Sequence, residues 1–151
     1  MQANLNLPPY DFKSRVYNGQ HQIYDGIRRK YVILTPEEWV RQHFVNYLTT
    51  HKGYPVGLIN IEFPVTVNGM LQRADIVAYG RSGNPLLIVE CKAPTVKLDA
   101  TTFSQAARYN LTLKANYLVV TNGIKHYCSM VDLQSKQFEA IPEVPDFKQI
   151  G

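Results

Sequence analysis

The feature that most constrains this chain is one stretch, Pro85-Leu86-Leu87-Ile88-Val89-Glu90-Cys91, followed at once by Lys92. So short and apolar a run, closed by Ala93-Pro94, reads as a strand buried on both faces at the centre of a sheet. Alternate residues on a strand leave from the same face, so Glu90 and Lys92 project together. A charge in such a place is unfavourable unless it is partnered. The stretch therefore demands helices to cover a sheet and a polar purpose at one end of its central strand.

The rest of the chain supplies both. Leu58 to Val67, closed by Asn68-Gly69, and Met70 to Tyr79 form a hairpin, since Asn-Gly is the strongest short turn signal. Arg81-Ser82-Gly83-Asn84 turns the chain into the apolar strand. Tyr117 to Thr121 and Ile124 to Val131 form two further strands around Asn122-Gly123, and Phe138 to Ile141 a last short one. Asp99 to Lys114 reads as a helix. An earlier helix has the clearest start in the chain, with Thr35 as N-cap, Pro36 in first position and Glu38 three residues after the cap. It is expected to run to Thr49. Ahead of it, His21 to Tyr24 and Lys30 to Leu34 read as a small hairpin around Asp25-Gly26. Arg28, Arg29 and Lys30 at that turn read first as a solvated loop, with a phosphate contact as the alternative. The order is helix, three strands, helix, two strands, preceded by a hairpin. That is a mixed α/β domain with helices packed on a sheet. One domain is expected, with an extension at 1–33, a core at 34–131 and an acidic tail at 132–151.

Composition narrows the class. With 151 residues, 45% hydrophobic and 19% charged, the chain is long enough for one core and too apolar for disorder. No apolar run approaches the ~20 residues that a membrane helix needs. The first residues lack the basic and apolar regions of a secretory signal, so a soluble cytoplasmic protein is expected. Two cysteines, Cys91 and Cys128, imply neither a disulfide scaffold nor a zinc site, and no phosphate-binding Gly-Lys-Ser/Thr loop is present. The net charge is +4. It is weak support for a phosphate-rich partner.

The candidate site lies among the charges that interrupt buried strands. Asp75 sits inside Arg73-Ala74-Asp75-Ile76-Val77, the strand expected to neighbour Glu90 and Lys92. Two carboxylates beside a lysine form a hard-oxygen site suited to Mg²⁺, where a metal would polarise a phosphodiester and acidify water. The alternative is a salt bridge at a strand end. On the first helix, stepping about 100° per residue from Val40 puts Phe44 at about 40°, Glu37 at about 60° and Glu38 at about 160°. Glu37 thus falls on the apolar face and is the better functional candidate. Glu38, on the far side, is the capping acid. On the second helix Gln105 and Tyr109 are four apart and share a face. Their alternatives are a phosphate-holding pair and an ordinary hydrogen-bonding pair. The four histidines are scattered and suggest no metal site. Cys91 should point into the core, away from Glu90.

The ordered set of Glu37, Asp75, Glu90-Cys91-Lys92 and Gln105-Ala106-Ala107-Arg108-Tyr109 resembles the PD-(D/E)xK nuclease superfamily. More narrowly, it is similar to the N-terminal nuclease domain of type I restriction enzyme R subunits, in which a Gln-x-x-x-Tyr helix follows the Glu-x-Lys strand. The phrases Leu34-Thr35-Pro36-Glu37-Glu38-Trp39-Val40-Arg41 and Val89-Glu90-Cys91-Lys92-Ala93-Pro94 resemble its small stand-alone members. The resemblance spans Leu34 to Tyr127. It implies a restriction-endonuclease-like core. It also implies a metal, Mg²⁺ or Mn²⁺ in its place, held by Asp75, Glu90 and the Cys91 carbonyl, with Lys92 as catalytic lysine. Glu37 would be the first-helix acid, with Glu38 its substitute, and Gln105 and Tyr109 would support DNA or the site. Ala74 departs from the superfamily's proline.

A Mg²⁺-dependent DNA endonuclease is therefore expected. The alternative is a non-catalytic nucleic-acid-binding or adaptor module of a larger restriction or repair assembly. No ATPase motor accompanies the motifs, so a free-standing nuclease or one component of an assembly is expected. The partner is DNA, and two-strand cutting would call for a homodimer or a separate motor or specificity subunit.

Overall fold

The stretch Pro85–Cys91 is the strand β6, third in a six-stranded sheet of order β4-β5-β6-β7-β8-β9. The computed structural model describes residues 2–151. The other strands of this sheet are β4 (Ile59–Val67), β5 (Met70–Tyr79), β7 (Tyr117–Thr121), β8 (His126–Asp132) and β9 (Gln137–Ile141). β6 and β7 are parallel and every other neighbouring pair is antiparallel. The parallel pair requires a crossover, and the helix α2 (Ala100–Leu113) makes it. Asp99 caps α2 by accepting from the Thr102 N–H at 3.0 Å. The β4–β5 turn has positive φ at both Asn68 (52°) and Gly69 (75°), the backbone of a type I′ hairpin.

Alternation along the central strands fills two cores. Ile76, Ala78, Leu87, Val89 and Cys91 face one way, against Val40, Phe44 and Leu48 of the helix α1 (Pro36–Asn46) and the turn after it. Val77, Ile88, Leu118 and Val120 face the other, against Ala106 and the half-buried Phe103 and Tyr109 of α2. The sheet is thus a layer between two helices. Of the residues on β6, Glu90 and Lys92 share parity with Ile88 on the α2 side. Cys91 faces the opposite core and is buried, as is Cys128.

Two expectations need correction here. The α-helix ends at Asn46, and the chain continues in a single wider turn, Tyr47–His51, where the Lys52 N–H reaches the Tyr47 carbonyl at 3.2 Å. The apolar pattern carries through that turn, so periodicity does not mark the change of hydrogen bonding. The N-terminal hairpin is a three-stranded antiparallel meander: β1 (Ser14–Tyr17), β2 (Gln20–Asp25) and β3 (Lys30–Ile33). All of β1 is exposed and largely polar, so it lacks the alternation that betrays a half-buried strand. Its turn is Asn18-Gly19, with φ of 50° and 75°.

The helix α1 is covered on more than one side. The opening segment lays Tyr10 edge-on to His43 and Phe12 edge-on to Trp39, and the Trp39 indole donates to the Ala3 carbonyl at 2.9 Å. Every residue from Glu38 to Val45 is therefore buried. Among the described residues, no helix is long and apolar enough to cross a membrane.

The packing predicts its own energetics. Phe44 is fully buried between α1 and the sheet, while Leu111 on α2 is 61% exposed. Phe44→Ala is expected to destabilise by about 3–5 kcal/mol and Leu111→Ala by less than about 0.5 kcal/mol. Urea denaturation with an unchanged slope checks both.

Candidate functional site

The pairing of β5 with β6 begins at Tyr79↔Pro85 and ends at Ile76↔Val89. The next pair in that register would be Asp75 with Glu90. Instead the strands part. β5 continues beside β4, and β6 continues beside β7 to the Lys92 N–H, which donates to the Thr121 carbonyl at 2.8 Å. Asp75 and Glu90 occupy the crotch of this fork, each only 6% exposed. The Asp75 Oδ2 accepts from the Cys91 N–H at 2.7 Å, stitching the fork where the ladder stops. N–H and C=O of one strand residue point the same way, so the Cys91 carbonyl also faces the β5 side.

The helix α1 reaches over this fork with Arg41. That guanidinium is 4% exposed. Its Nη2 donates to Asp75 Oδ1 at 2.7 Å and to Glu37 Oε1 at 2.9 Å, and its Nη1 lies 2.7 Å from Glu38 Oε1. Glu62 Oε1 stands at 3.4 Å. Behind Arg41 the network continues: Glu38 Oε1 also receives Arg28 at 2.8 Å, and Glu38 Oε2 receives Gln42 at 3.1 Å. Arg28 and Gln42 both donate to the buried Asp25. Burial works against the charge of Arg41, but Asp75 and Glu38 outweigh it and hold its pKa above the ordinary value. Burial likewise pushes Asp25 up, yet the hydrogen bonds from Arg28 and Gln42 leave it below the usual range.

The backbone gives way at this point. Glu62 lies across from Asp75 in the β4–β5 register, between the pairs Ile61↔Ile76 and Phe63↔Ala74. Like charges opposite one another on a sheet repel. Glu62 has a φ of 54°, a left-handed conformation that a non-glycine residue adopts at a penalty of roughly 1 kcal/mol. Its side chain goes to Arg41 and to Arg28, at 3.8 Å.

Among the acids of the cluster, Glu90 has an open valence. Its Oε2 is buried with no hydrogen-bond partner, and Arg41 Nε is likewise buried without one. Burial, then the charge of Asp75 and a proton shared with it, push the Glu90 carboxyl up to about 10 despite Lys92. Glu37 is also raised, by partial burial and then by Asp75, against the pull of Arg41 and Lys92. Tyr109 is raised to about 12 by burial and by Glu90, Asp75 and Glu37, so its hydroxyl stays protonated beside the acids.

The residues expected from sequence are placed as follows. Asp75, Glu90, Lys92, Glu37 and Tyr109 come to one locality at the fork. Gln105 is exposed on α2. The two helix acids exchange burial: Glu38 is buried, and the side chain of Glu37 is 46% exposed. The helical phase is sound, but α1 has no free face, so an angle from the apolar stripe does not predict burial. Nor does Glu38 close a capping box. Its N–H donates to Thr35 Oγ1 at 3.0 Å, while its carboxylate turns to Arg28, Arg41 and Gln42. Arg28 is therefore no loop cation in solvent. Arg41 and Arg28 were invisible as site residues from charge patterning, although Glu37, Glu38 and Arg41 stand at the i, i+3 and i+4 spacings that let helix side chains meet.

The donor set can be tested against a cation. Among the described residues, no three His, Cys, Asp or Glu side chains gather in metal-holding geometry. Two carboxylates, a carbonyl and solvent positions match the habit of Mg²⁺, which keeps several waters and takes one or two carboxylates. The charge balance asks for it too. Once Glu90 gives up its proton, Asp25, Glu37, Glu38, Glu62, Asp75 and Glu90 face Arg28, Arg41 and Lys92 alone among the described residues. The unpartnered Glu90 oxygen is where the deficit falls.

Known proteins bear on this geometry. Residues 36–145 match the family model described as type I restriction enzyme R protein N terminus. No curated protein matches the chain. The fold is similar to a solved fragment described as an HsdR subunit of a type I restriction enzyme from Vibrio vulnificus YJ016, with a TM-score of 0.57 and 20% identity. The match covers 78% of this chain and 24% of that one, so the chain spans about a quarter of that structure.

Two predictions follow from the electrostatics. Arg41→Met strands the buried Asp75 and Glu38, and is expected to destabilise by about 3–5 kcal/mol in denaturant titration. Glu90 holds a proton in the folded state that it releases at its ordinary value of 4.5 when unfolded, so its contribution to stability is full below that value. That contribution is lost as pH rises through the interval up to about 10. With metal chelated, the urea midpoint of wild type should fall across this window. Glu90→Gln should flatten the profile and be the more stable protein on its alkaline side.

Proposed function

Because this chain belongs to the family of type I restriction enzyme R protein N termini, we propose that it is a Mg²⁺-dependent DNA endonuclease of the PD-(D/E)xK kind. The observation that carries this reading is the fork. Two adjoining carboxylates, Asp75 and Glu90, sit in a site short of positive charge, and one Glu90 oxygen awaits a partner.

Asp75, Glu90 and the Cys91 carbonyl would hold the ion, which supplies charge neutralisation at the scissile phosphate and a more acidic water. The chain's own groups do the rest. Arg41 bonds Asp75 and Glu37 through one nitrogen and fixes them relative to each other. Asp75 is oriented a second time by the Cys91 N–H. Lys92 leaves β6 on the face of Glu90, where its ammonium can hold a water in line with phosphorus and balance charge on the phosphate oxygens. Glu37, half-exposed at the rim, accepts a hydrogen bond from that water. Tyr109 keeps its proton and donates. Because the raised pKa of Glu90 means that it binds the ion only by releasing its proton, apparent metal affinity should rise with pH.

A domain of this size has one site, so cutting both strands would call on a second copy. A motor or specificity subunit is the other partner that the family suggests, and cytoplasmic DNA is the expected substrate.

Purified protein incubated with supercoiled plasmid and Mg²⁺ or Mn²⁺ tests the reading. Nicking is expected with metal and not with chelator. Lys92→Ala and Asp75→Asn should each lower its rate by about 10²-fold or more. Mn²⁺ should raise the Tm of wild type and of Lys92→Ala, and leave Asp75→Asn unmoved. Nicking retained by both variants would overturn the assignment.

A further inference from the structure

We propose that the outward face of the β1-β2-β3 meander is a platform for an unpaired DNA strand, which its tyrosines stack and its cations hold, leading that strand toward the fork. The proposal deepens the nuclease reading, on which it rests for the choice of DNA.

The charge of the chain is concentrated here. From Lys13 to Ile33 there are five cations, Lys13, Arg15, Arg28, Arg29 and Lys30, against one acid, Asp25. That balance of +4 equals the net charge of the whole chain, so the remaining residues are neutral in sum. The one acid is fully buried and already bonded by Arg28 and Gln42. Lys13, Arg15, Arg29 and Lys30 are exposed, and none has a carboxylate within ion-pairing distance among the described residues. Lys13 and Arg15 lie on the outward face, while Arg29 in the turn and Lys30, paired with the inward Asp25, stand at its edge. Uncompensated cations gathered this way are a footprint for polyanion.

Strand register adds aromatic surface to the charge. Ile23 and Asp25 of β2 are buried toward α1, so Gln20, Gln22 and Tyr24 face outward. Arg15 pairs across with Gln22, Tyr17 with Gln20, and Tyr24 with Tyr31. The contacts confirm one shared face. Arg15 lies over the Tyr31 ring at 4.0 Å and the Tyr17 ring at 4.8 Å, and Lys13 over the Tyr24 ring at 5.8 Å. Tyr24 and Tyr31 meet edge-on at 5.3 Å. Tyr17 is 55% exposed, with Arg15 over one side of its ring. Three tyrosines interleaved with cations, with amides at their sides and a single acid, Asp11, at the edge beside Lys13 and Tyr24, suit a strand whose bases are free to stack and whose phosphates need neutralising. A duplex keeps its bases stacked on one another and does not offer their faces to the rings.

The face is continuous with the site. A groove of about 710 Å³ is lined by Gln22, Lys30 and Tyr31 of the meander together with Glu37, Glu38, Glu62 and Ala93, the residue after Lys92, so its acids mark the approach to the metal-holding end rather than the platform. The buried ion pairs of Arg28 fix the meander to α1, so the platform and the fork keep one geometry.

Fluorescence anisotropy of a labelled oligothymidylate with metal chelated, which silences cleavage, tests this. Wild type should bind the single strand more tightly than a duplex of equal length. Tyr17→Ala should weaken the single-strand complex about tenfold or more, and Tyr17→Phe should retain it. The Lys13→Gln/Arg15→Gln pair should reduce the slope of log affinity against log salt by roughly 1.4. These residues are exposed, and an unchanged Tm confirms that their variants fold. Lys97→Gln/Lys136→Gln should bind as wild type does. Binding is read with metal chelated and needs no cleavage, which separates this inference from the nuclease reading. Unchanged affinity in Tyr17→Ala and in the Lys13/Arg15 pair, preference for duplex, or no binding by wild type would each overturn the platform and leave the plasmid result standing on its own.

Discussion

The structure is organised around Arg41. An arginine buried to 4% exposure would be intolerable alone, and so would the acids around it. Together they form a closed arrangement in which one planar fork of donors satisfies carboxylates from α1 and β5, with a third from β4 close by. Guanidinium geometry makes this feasible where an ammonium would not, because several acceptors must be met in fixed directions. The position of α1 on the sheet follows from that arrangement, as does the attitude of Asp75. Phe44 and Val40 supply the apolar adhesion of the same helix, but adhesion has no direction. The ion pairs determine how α1 is turned.

Most of the architecture was legible from the chain. Each strand of the large sheet carries a turn signal or a run of β-branched residues, and those local preferences agree with the tertiary fold. The crossover helix announced itself by Asp99. What could not be read was where a pattern meets an unannounced neighbour. The opening segment covers Trp39 and His43, so the polar side of α1 became interior. Glu38, which the helix wheel puts on the side away from the apolar stripe, is buried there, because the wheel assumes one wet face. β1 was missed since an exposed strand has no buried side to alternate with.

The site was legible in Asp75, Glu90 and Lys92 and opaque in Arg41 and Glu62. Asp75 and Glu90 are conspicuous because they break apolar strands. Arg41 sits in an amphipathic helix where an arginine is ordinary, and only the fold reveals that it faces inward. Glu62 is harder still, since its significance lies in a left-handed backbone that no residue-type preference forecasts for glutamate.

The crossover between β6 and β7 bears on when the fork exists at all. It is the single parallel pairing of the sheet, and it closes only after α2 has been laid across it. The parts that meet at the fork come from α1, β5, the end of β6 and α2, around positions 37, 75, 90 and 109, so the contacts between these elements are not local in sequence. Chain-closure entropy must be overcome before any of those contacts returns stability, which places assembly of the fork late in folding. A nascent or partly unfolded chain therefore holds the acids apart, and the fork exists only in molecules that have completed their sheet.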